Sequence, residues 1–279
     1  MCMSSFPRPA SLLLAVILLA WMPGPFAAPA AKLWERWAAH VPGATLEIDH
    51  RRWNDWLERF VSTAADGINR VDYGGVDTAG RKRLRAYLDD LASIAISHYG
   101  REQQRAYWIN LYNALTIDVV LEYYPVNSIR DISSGIFAAG PWGRKLVTIE
   151  GQALTLDDIE HRILRPIWQD PRIHYAVNCA SLGCPNLLDQ AFTAANTESL
   201  LDQAAREFVN HSRGAQVVDG RLRVSSIYHW FESDFGGNDA GVIAHLKLYA
   251  EAGLADALAS VARVDEHEYD WRINDLGRK

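Results

Sequence analysis

Cysteine is scarce in this chain, and several common catalytic signatures are missing. The 279 residues include only three cysteines. There is no Walker loop, no G-x-G-x-x-G after a predicted strand, and no G-x-S-x-G elbow. These absences argue against ATP binding, dinucleotide binding and α/β-hydrolase chemistry, and nothing else in the sequence indicates a cofactor.

Clusters of positive charge are also lacking. The net charge is −6, and no run of lysine and arginine stands out, which disfavours nucleic acid as a partner. Beyond residue 22, no apolar run approaches the ~20 residues that a membrane-spanning helix needs. We therefore expect no membrane span once the N-terminal segment has been removed.

The N-terminal 30 residues have the outline of a secretory signal peptide. Arg8 precedes an apolar run at residues 10–22, and Ala28-Pro29-Ala30 has the A-x-A form of a cleavage site. An uncleaved N-terminal anchor is the alternative. We expect cleavage, export to the periplasm or the medium, and a single globular domain from residue 31 to residue 279.

Amphipathic helices alternate with hairpins along the rest of the chain. Residues 101–124 are apolar on most faces, which is typical of a buried helix. Turn residues at Glu150-Gly151 and Asp219-Gly220 predict two hairpins. Because no regular βαβ rhythm is present, the pattern predicts a single α+β domain. Its buried central helix would pack with hairpins and a mixed or antiparallel sheet.

The stretch "IHYAVNCASLGCPN" at residues 173–186 raises the question of chemistry. A thiolate nucleophile at Cys179 needs a base or a positive charge nearby. His174 is one possible base, but alternation along a predicted strand over residues 172–178 puts it on the opposite face from Cys179. A direct pair therefore requires the chain to turn at Asn178.

Other polar residues could complete such a site. His161 is a second possible base, and Glu160 or Asp234 could orient the base, as could Asn110 or Asn178. A third amide, Asn113, joins Asn110 and Asn178 as a possible oxyanion donor. The catalytic hypothesis therefore comprises Cys179, His174, His161, Glu160, Asn110, Asn113 and Asn178.

Structural interpretations compete with this hypothesis. In an oxidising compartment, a disulfide between Cys179 and Cys184 is the default expectation. Asn110 and Asn113 lie one helical turn apart and could tie backbone groups together instead of lining a site. A metal site on His161, His174 and Glu160 is a further alternative, although the chain has no H-E-x-x-H spacing.

Several segments in order resemble the bacterial members of the domain of unknown function 547 family. The resemblance covers the chain from about His50 to its C-terminus and implies a globular domain that is often exported, without supplying an activity. The segments are "RVDYGGV", "AYWINLYNALTIDVVLEYYPVNSIRDI", "LTLDDIEHRILRP", "DPRIHYAVNCASLGCPNL" and "YDWRIND". The family's motif positions fall on Trp108, Asn110, Asn113, Glu160, His161, His174, Asn178, Cys179, Ser181, Cys184 and Pro185.

Two function hypotheses follow for this exported protein of unknown activity. The first is a cysteine-dependent hydrolase or transferase that acts on a small molecule or an envelope component, with Cys179 as nucleophile. The second is a non-catalytic binding or scaffold domain, in which Cys179 and Cys184 form a structural disulfide.

Overall fold

The helix from Arg101 to Tyr123, which the sequence predicts to be buried, runs through the main hydrophobic core. It begins after Gly100 and ends before Pro125, whose ring cannot continue a helix. The computed structural model describes residues 28–132 and 140–277. The predicted signal peptide lies outside these residues except for positions 28–30. Within them, no helix is long and apolar enough to cross a membrane.

Helices and short strands follow one another along the chain, and a 20-residue stretch that carries both cysteines separates α6 from α7. The α-helices are α1 (Arg51–Phe60), α2 (Thr78–Ala92), α3 (Arg101–Tyr123), α4 (Leu156–Ile159), α5 (Arg165–Trp168), α6 (Ile173–Ala176), α7 (Thr197–Val209), α8 (Ser226–Trp230), α9 (Asp239–Tyr249) and α10 (Ala252–Leu258). A π-helical segment, Glu160–Leu164, joins α4 to α5. The strands are β1 (Val61–Thr63), β2 (Asn69–Val71), β3 (Val147–Ile149), β4 (Gln152–Leu154), β5 (Ala215–Val218), β6 (Arg221–Ser225) and β7 (Glu266–Glu268).

Both predicted hairpins are confirmed. β3 pairs with β4 through Glu150 and Gly151, and β5 pairs with β6 through Asp219 and Gly220. All four turn residues have positive φ, between 45° and 77°, as a two-residue hairpin turn of type I′ requires. β7 adds parallel to β6 and makes that sheet mixed, so the predicted α+β class is also confirmed.

The strand predicted over residues 172–178 is wrong, because residues 173–176 form the short helix α6. The Asp170 carboxylate accepts a hydrogen bond from the Arg172 backbone N–H at 2.9 Å, and Pro171 precedes the first turn. An aspartate that binds the backbone N–H two residues on forms a local turn, and here the Ile173 N–H also donates to the Asp170 carbonyl at 3.1 Å, so this turn leads directly into the helix. The turn overrides the apolar, β-branched pattern that suggested a strand.

The same short helix joins two hydrophobic clusters. Ile173 packs into the main core around α3, whereas Tyr175 packs into a second cluster with Phe208 and Tyr228. His174 lies between them and is also buried. A four-residue helix can therefore hold one polar side chain rigidly between two packed regions.

A buried histidine far from this region should make the stability of the fold pH-dependent. Burial lowers the pKa of His50 from 6.5 to about 4, and its Nδ1 lies 2.7 Å from the Tyr87 hydroxyl. Between these values the unfolded chain binds a proton that the folded protein does not. The stability associated with burying a neutral His50 side chain is therefore fully present above pH 6.5 and is lost as the pH falls towards 4.

We expect the His50→Gln variant to lose less stability than the wild type on acidification. Between pH 7 and pH 5, the difference should be about 2 kcal/mol in the free energy of unfolding. Urea unfolding of both proteins at the two pH values measures it. Parallel pH profiles for the two proteins would contradict the assignment.

Candidate functional site

Four of the predicted site residues line one cavity of about 430 Å³. They are Cys179, His174, His161 and Glu160. The walls are largely aromatic, from Tyr112, Trp142, Trp230, Phe231, Tyr269 and Trp271. An apolar cavity with a few convergent polar groups is the usual form of a binding or catalytic site.

The chain turn that the catalytic hypothesis requires is present. α6 ends at Ala176, Val177 is extended, and both His174 and Cys179 reach the same cavity. Ala180, the residue after Cys179, has a φ of 58°, a left-handed conformation that changes the chain direction sharply. Because no strand forms here, strand alternation does not put His174 and Cys179 on opposite faces.

Asn113 and Asn178 hold this turn through their amide groups. The Asn113 amide donates to the Ala176 carbonyl at 2.8 Å and accepts from the Asn178 backbone N–H at 2.8 Å. Asn178 in turn donates to the Pro185 carbonyl at 2.7 Å and accepts from the Ala180 N–H at 2.8 Å. Both side chains are buried, so these bonds fix the shape of the loop that carries Cys179.

Asn110 makes the same kind of contact at a different loop. Its amide donates to the Phe192 carbonyl at 2.7 Å and accepts from the Phe192 N–H at 3.1 Å. The structural interpretation therefore accounts for the amide groups of all three asparagines, since each is engaged by backbone.

The Cys179 sulfur is surrounded by hydrogen-bonding side chains. It lies 3.0 Å from the Tyr269 hydroxyl, 3.2 Å from the Ser181 hydroxyl and 3.3 Å from the Cys184 sulfur. The hydrogen bond from Cys184, followed by those from the two hydroxyls, outweighs burial and lowers the pKa of Cys179. These groups stabilise a thiolate without a directly bonded imidazole.

Cys184 differs from Cys179 although the two sulfurs are close. It is buried, and burial together with its hydrogen bond to Cys179 raises its pKa well above the usual value. Both cysteines are free thiols, and their 3.3 Å separation exceeds the ~2.05 Å of a disulfide bond. The expected disulfide is therefore not formed in this structure.

The C-terminal segment delivers Tyr269 to the thiol. The backbone N–H groups of Leu182 and Gly183 donate to the carbonyls of Arg272 and Asp270, each at 2.8 Å. A Cβ at position 183 would lie 2.6 Å from the Asp270 nitrogen, so the close approach requires glycine. These two hydrogen bonds hold the loop that carries Cys179 and Cys184 against the C-terminal segment.

His174 is oriented by a charged pair on the other side of the cavity. Its Nε2 lies 2.8 Å from the Asp234 carboxylate, which also receives Arg165 Nε at 2.6 Å and Nη2 at 3.0 Å. Burial alone would raise the pKa of Asp234, but the hydrogen bonds from His174 and Arg165 lower it below its usual range. Burial lowers the pKa of His174, so the imidazole is neutral near pH 7.

Glu160 and His161 lie on the π-helical segment beside this pair. Glu160 Oε1 is 3.8 Å from His174 Nδ1 and 3.9 Å from His161 Nδ1. Burial raises the pKa of Glu160 and lowers that of His161 to about 4. His161 Nδ1 also lies 3.1 Å from Arg165 Nη1. Neither imidazole is hydrogen-bonded to the Cys179 sulfur among the described contacts.

The π segment itself follows from Pro166. Proline has no N–H, so the Arg162 carbonyl, four residues earlier, has no helical donor. The Arg165 N–H bonds to the Glu160 carbonyl, five residues back, which leaves the His161 carbonyl without its usual α-helical partner as well. π segments of this kind are frequent at functional sites.

A metal site on His161, His174 and Glu160 is one alternative that the sequence leaves open. Within residues 28–132 and 140–277, no group of three or more His, Cys, Asp and Glu side chains is arranged to hold a metal ion.

The sequence interpretation missed several cavity residues. Arg165 and Tyr269 were not singled out, although they lie in the quoted segments "LTLDDIEHRILRP" and "YDWRIND". The wall residues Trp142, Trp230 and Phe231 were also not anticipated. Aromatic residues usually serve packing, so only their position around the cavity distinguishes them.

One family model matches part of this chain. Neither the curated proteins nor the solved structures yielded a match. Residues 96–209 match the model of a family described as "Protein of unknown function, DUF547". This stretch includes α3, the π segment and the cysteine loop, and the match supports the family resemblance that the motifs indicate.

Proposed function

We propose that this protein is an exported thiol-dependent hydrolase or transferase in which Cys179 is the nucleophile. One observation carries the proposal: a thiol with a lowered pKa opens on the same cavity as a histidine oriented by a carboxylate. Cys–His–Asp chemistry uses these three kinds of group, and here the His174 imidazole and the Cys179 sulfur share the cavity without a direct hydrogen bond. The signal-peptide outline of the sequence is the reason for proposing a reaction in the cell envelope or outside the cell.

The proposed reaction is acyl transfer. The Cys179 thiol gives its proton to His174, and the resulting thiolate attacks a carbonyl carbon. The bond from that carbon to the leaving group then breaks as the protonated imidazole donates the proton to the leaving group, which forms a thioester. The resulting thioester is then attacked by water or by an acceptor nucleophile, whose proton His174 accepts through Nδ1. Asp234 accepts from Nε2–H and stabilises the imidazolium that forms.

The remaining predicted residues take supporting roles in this proposal. Asn113 and Asn178 are positioning residues for the cysteine loop, and Asn110 positions the neighbouring loop. Glu160 lies beside Nδ1 of His174, where a carboxylate would further stabilise the imidazolium. His161 is less suited to be the base, because its Nδ1 contacts Arg165.

A second function has one observation in its favour. The sulfurs of Cys179 and Cys184 are 3.3 Å apart, so a small movement in an oxidising compartment would join them. The domain would then be a non-catalytic binding or scaffold module whose cysteine loop is pinned by a disulfide. Such a short loop would gain less than the ~3 kcal/mol expected for a loop of about 15 residues.

Alkylation kinetics separate the two functions. With the protein reduced, we expect iodoacetamide to modify Cys179 at pH 7 about 100-fold faster than Cys184, because only Cys179 has a lowered pKa and partial exposure. Peptide mapping by mass spectrometry measures both rates. The Tyr269→Phe variant, which removes one donor to the thiolate, should shift the pH midpoint for Cys179 upwards.

The oxidised state and the catalytic role need their own controls. Protein from an exporting host, alkylated without reductant in denaturant so that buried Cys184 is accessible, should gain two alkyl groups under the catalytic proposal. A mass lower by two hydrogens and no alkylation would favour the disulfide module. Once a substrate is found, Cys179→Ala should abolish turnover and Cys184→Ser should retain it. Equal alkylation rates for the two cysteines would overturn the nucleophile assignment.

A further inference from the structure

The N-terminal part of the described chain lies along the π segment and reaches the cavity. The backbone N–H of Lys32 donates to the His161 carbonyl at 2.9 Å, and that of Trp34 donates to the Arg162 carbonyl at 3.0 Å. These are the two carbonyls that Pro166 leaves without helical partners. The π segment is therefore a docking edge for extended backbone, as in strand addition to a sheet edge.

Two tryptophans fix this segment to the fold. The Arg162 guanidinium lies 4.2 Å from the centre of the Trp34 ring, within cation–π range. Trp37 is buried, and its ring packs edge-on against Trp108 with centroids 5.1 Å apart. The residues just before Lys32 are therefore held close to the cavity.

Residues 28 and 29 form part of the cavity wall. Ala28 and Pro29 are among its lining residues, together with Cys179. The Pro29 carbonyl accepts a hydrogen bond from Arg165 Nη1 at 2.7 Å. A peptide carbonyl is thus held by Arg165 at the wall of the proposed active site.

The charge balance around Arg165 indicates which kind of hydrogen-bond acceptor suits its Nη1 atom. Its Nε and Nη2 atoms are bound bidentately by Asp234, which compensates the positive charge. The two N–H groups of Nη1 therefore suit neutral acceptors, such as an amide carbonyl, better than a terminal carboxylate. The aromatic walls suit proline and small apolar side chains.

We propose that the cavity binds an extended peptide with small side chains. Arg165 Nη1 would donate a hydrogen bond to one backbone carbonyl of that peptide. This inference rests on the proposed function and names its substrate class as polypeptide. Residues 28–30 are an intramolecular stand-in for that peptide. Processing at the A-x-A site after Ala30 would remove them, whereas Lys32, Trp34 and Trp37 would remain.

A binding experiment with a defined peptide tests the proposal. The probe is acetyl-Ala-Pro-Ala-amide, and isothermal titration compares the full chain with protein lacking residues 1–30. Among the described residues this removal deletes only positions 28–30, so the melting temperatures should agree closely. We expect the shortened protein to bind at least about tenfold more tightly, because the tethered segment competes in the full chain.

Two controls make the result decisive. The free-acid peptide of the same sequence, acetyl-Ala-Pro-Ala, should bind no more tightly than the amide. The Arg165→Lys variant of the shortened protein should bind the amide about tenfold more weakly, because the guanidinium fork is lost. If that variant fails to fold, the comparison between full and shortened protein still decides the question.

Binding can be separated from catalysis with Cys179→Ala. If the peptide binds this variant as it binds the parent, and the parent cleaves or transfers the peptide no faster than the variant does, the peptide site stands and the nucleophile proposal fails. Equal affinities of the full and shortened proteins, or no binding to the shortened protein at millimolar peptide, would overturn the inference regardless of catalysis.

Discussion

The Asp234→Asn variant is expected to lose about 3 kcal/mol or more of its free energy of unfolding. The Asp234 carboxylate is the partner of both Arg165, whose side chain is only 3 % exposed, and His174. An asparagine there would leave the buried guanidinium without its bidentate carboxylate partner. Removal of one partner from a buried ion pair costs far more than the pair itself contributes.

Urea unfolding measures this loss, and the chain offers a matched control. Glu266 forms ion pairs with Arg221 at 2.9 Å and Arg223 at 3.2 Å, and all three side chains are well exposed. The Glu266→Gln variant should therefore lose less than about 1 kcal/mol, because exposed ion pairs contribute little. Similar losses in the two variants would show that the Asp234 pair is not energetically distinct from a surface pair.

The Asn113→Ala variant is expected to lose about 3 kcal/mol and to impair the cavity. The alanine would leave the Ala176 carbonyl and the Asn178 N–H without their side-chain partner inside the protein. Each unsatisfied buried group costs roughly 1–3 kcal/mol. Since these two groups flank the turn into Cys179, the cysteine loop should also lose its fixed geometry.

Asn110 supplies the control for this second prediction. It lies on the same helix, is equally buried and binds a backbone N–H and carbonyl in the same way, but at Phe192. Asn110→Ala should therefore destabilise the protein to a similar extent while the preference of iodoacetamide for Cys179 over Cys184 is retained. In Asn113→Ala that preference should fall. If both variants kept the wild-type preference, Asn113 would not position the thiol.

The family match, over residues 96–209, covers only part of the candidate site. It includes Glu160, His161, His174 and Cys179, but Asp234 and Tyr269 lie beyond residue 209. The orienting carboxylate and one donor to the thiolate therefore come from the later part of the chain. Both variants, Asp234→Asn and Tyr269→Phe, test whether that part contributes to the cavity as the geometry indicates.

The sequence by itself determined those elements whose pattern is local. The apolar surface of α3 on most faces predicted its burial, and the paired turn residues predicted both hairpins, because side-chain periodicity and positive φ are properties of neighbouring residues. It also singled out Cys179, His174, His161 and Glu160, which the structure brings to one cavity.

Only the tertiary structure decided how those residues meet. The apolar, β-branched residues 173–177 favoured a strand, but Asp170 and Pro171 start a helix there that packs into two clusters at once. Arg165 joins Asp234 from 69 positions away, and Tyr269 joins Cys179 from 90 positions away. Such contacts depend on how the packed elements bring distant segments together, and no spacing along the chain specifies them.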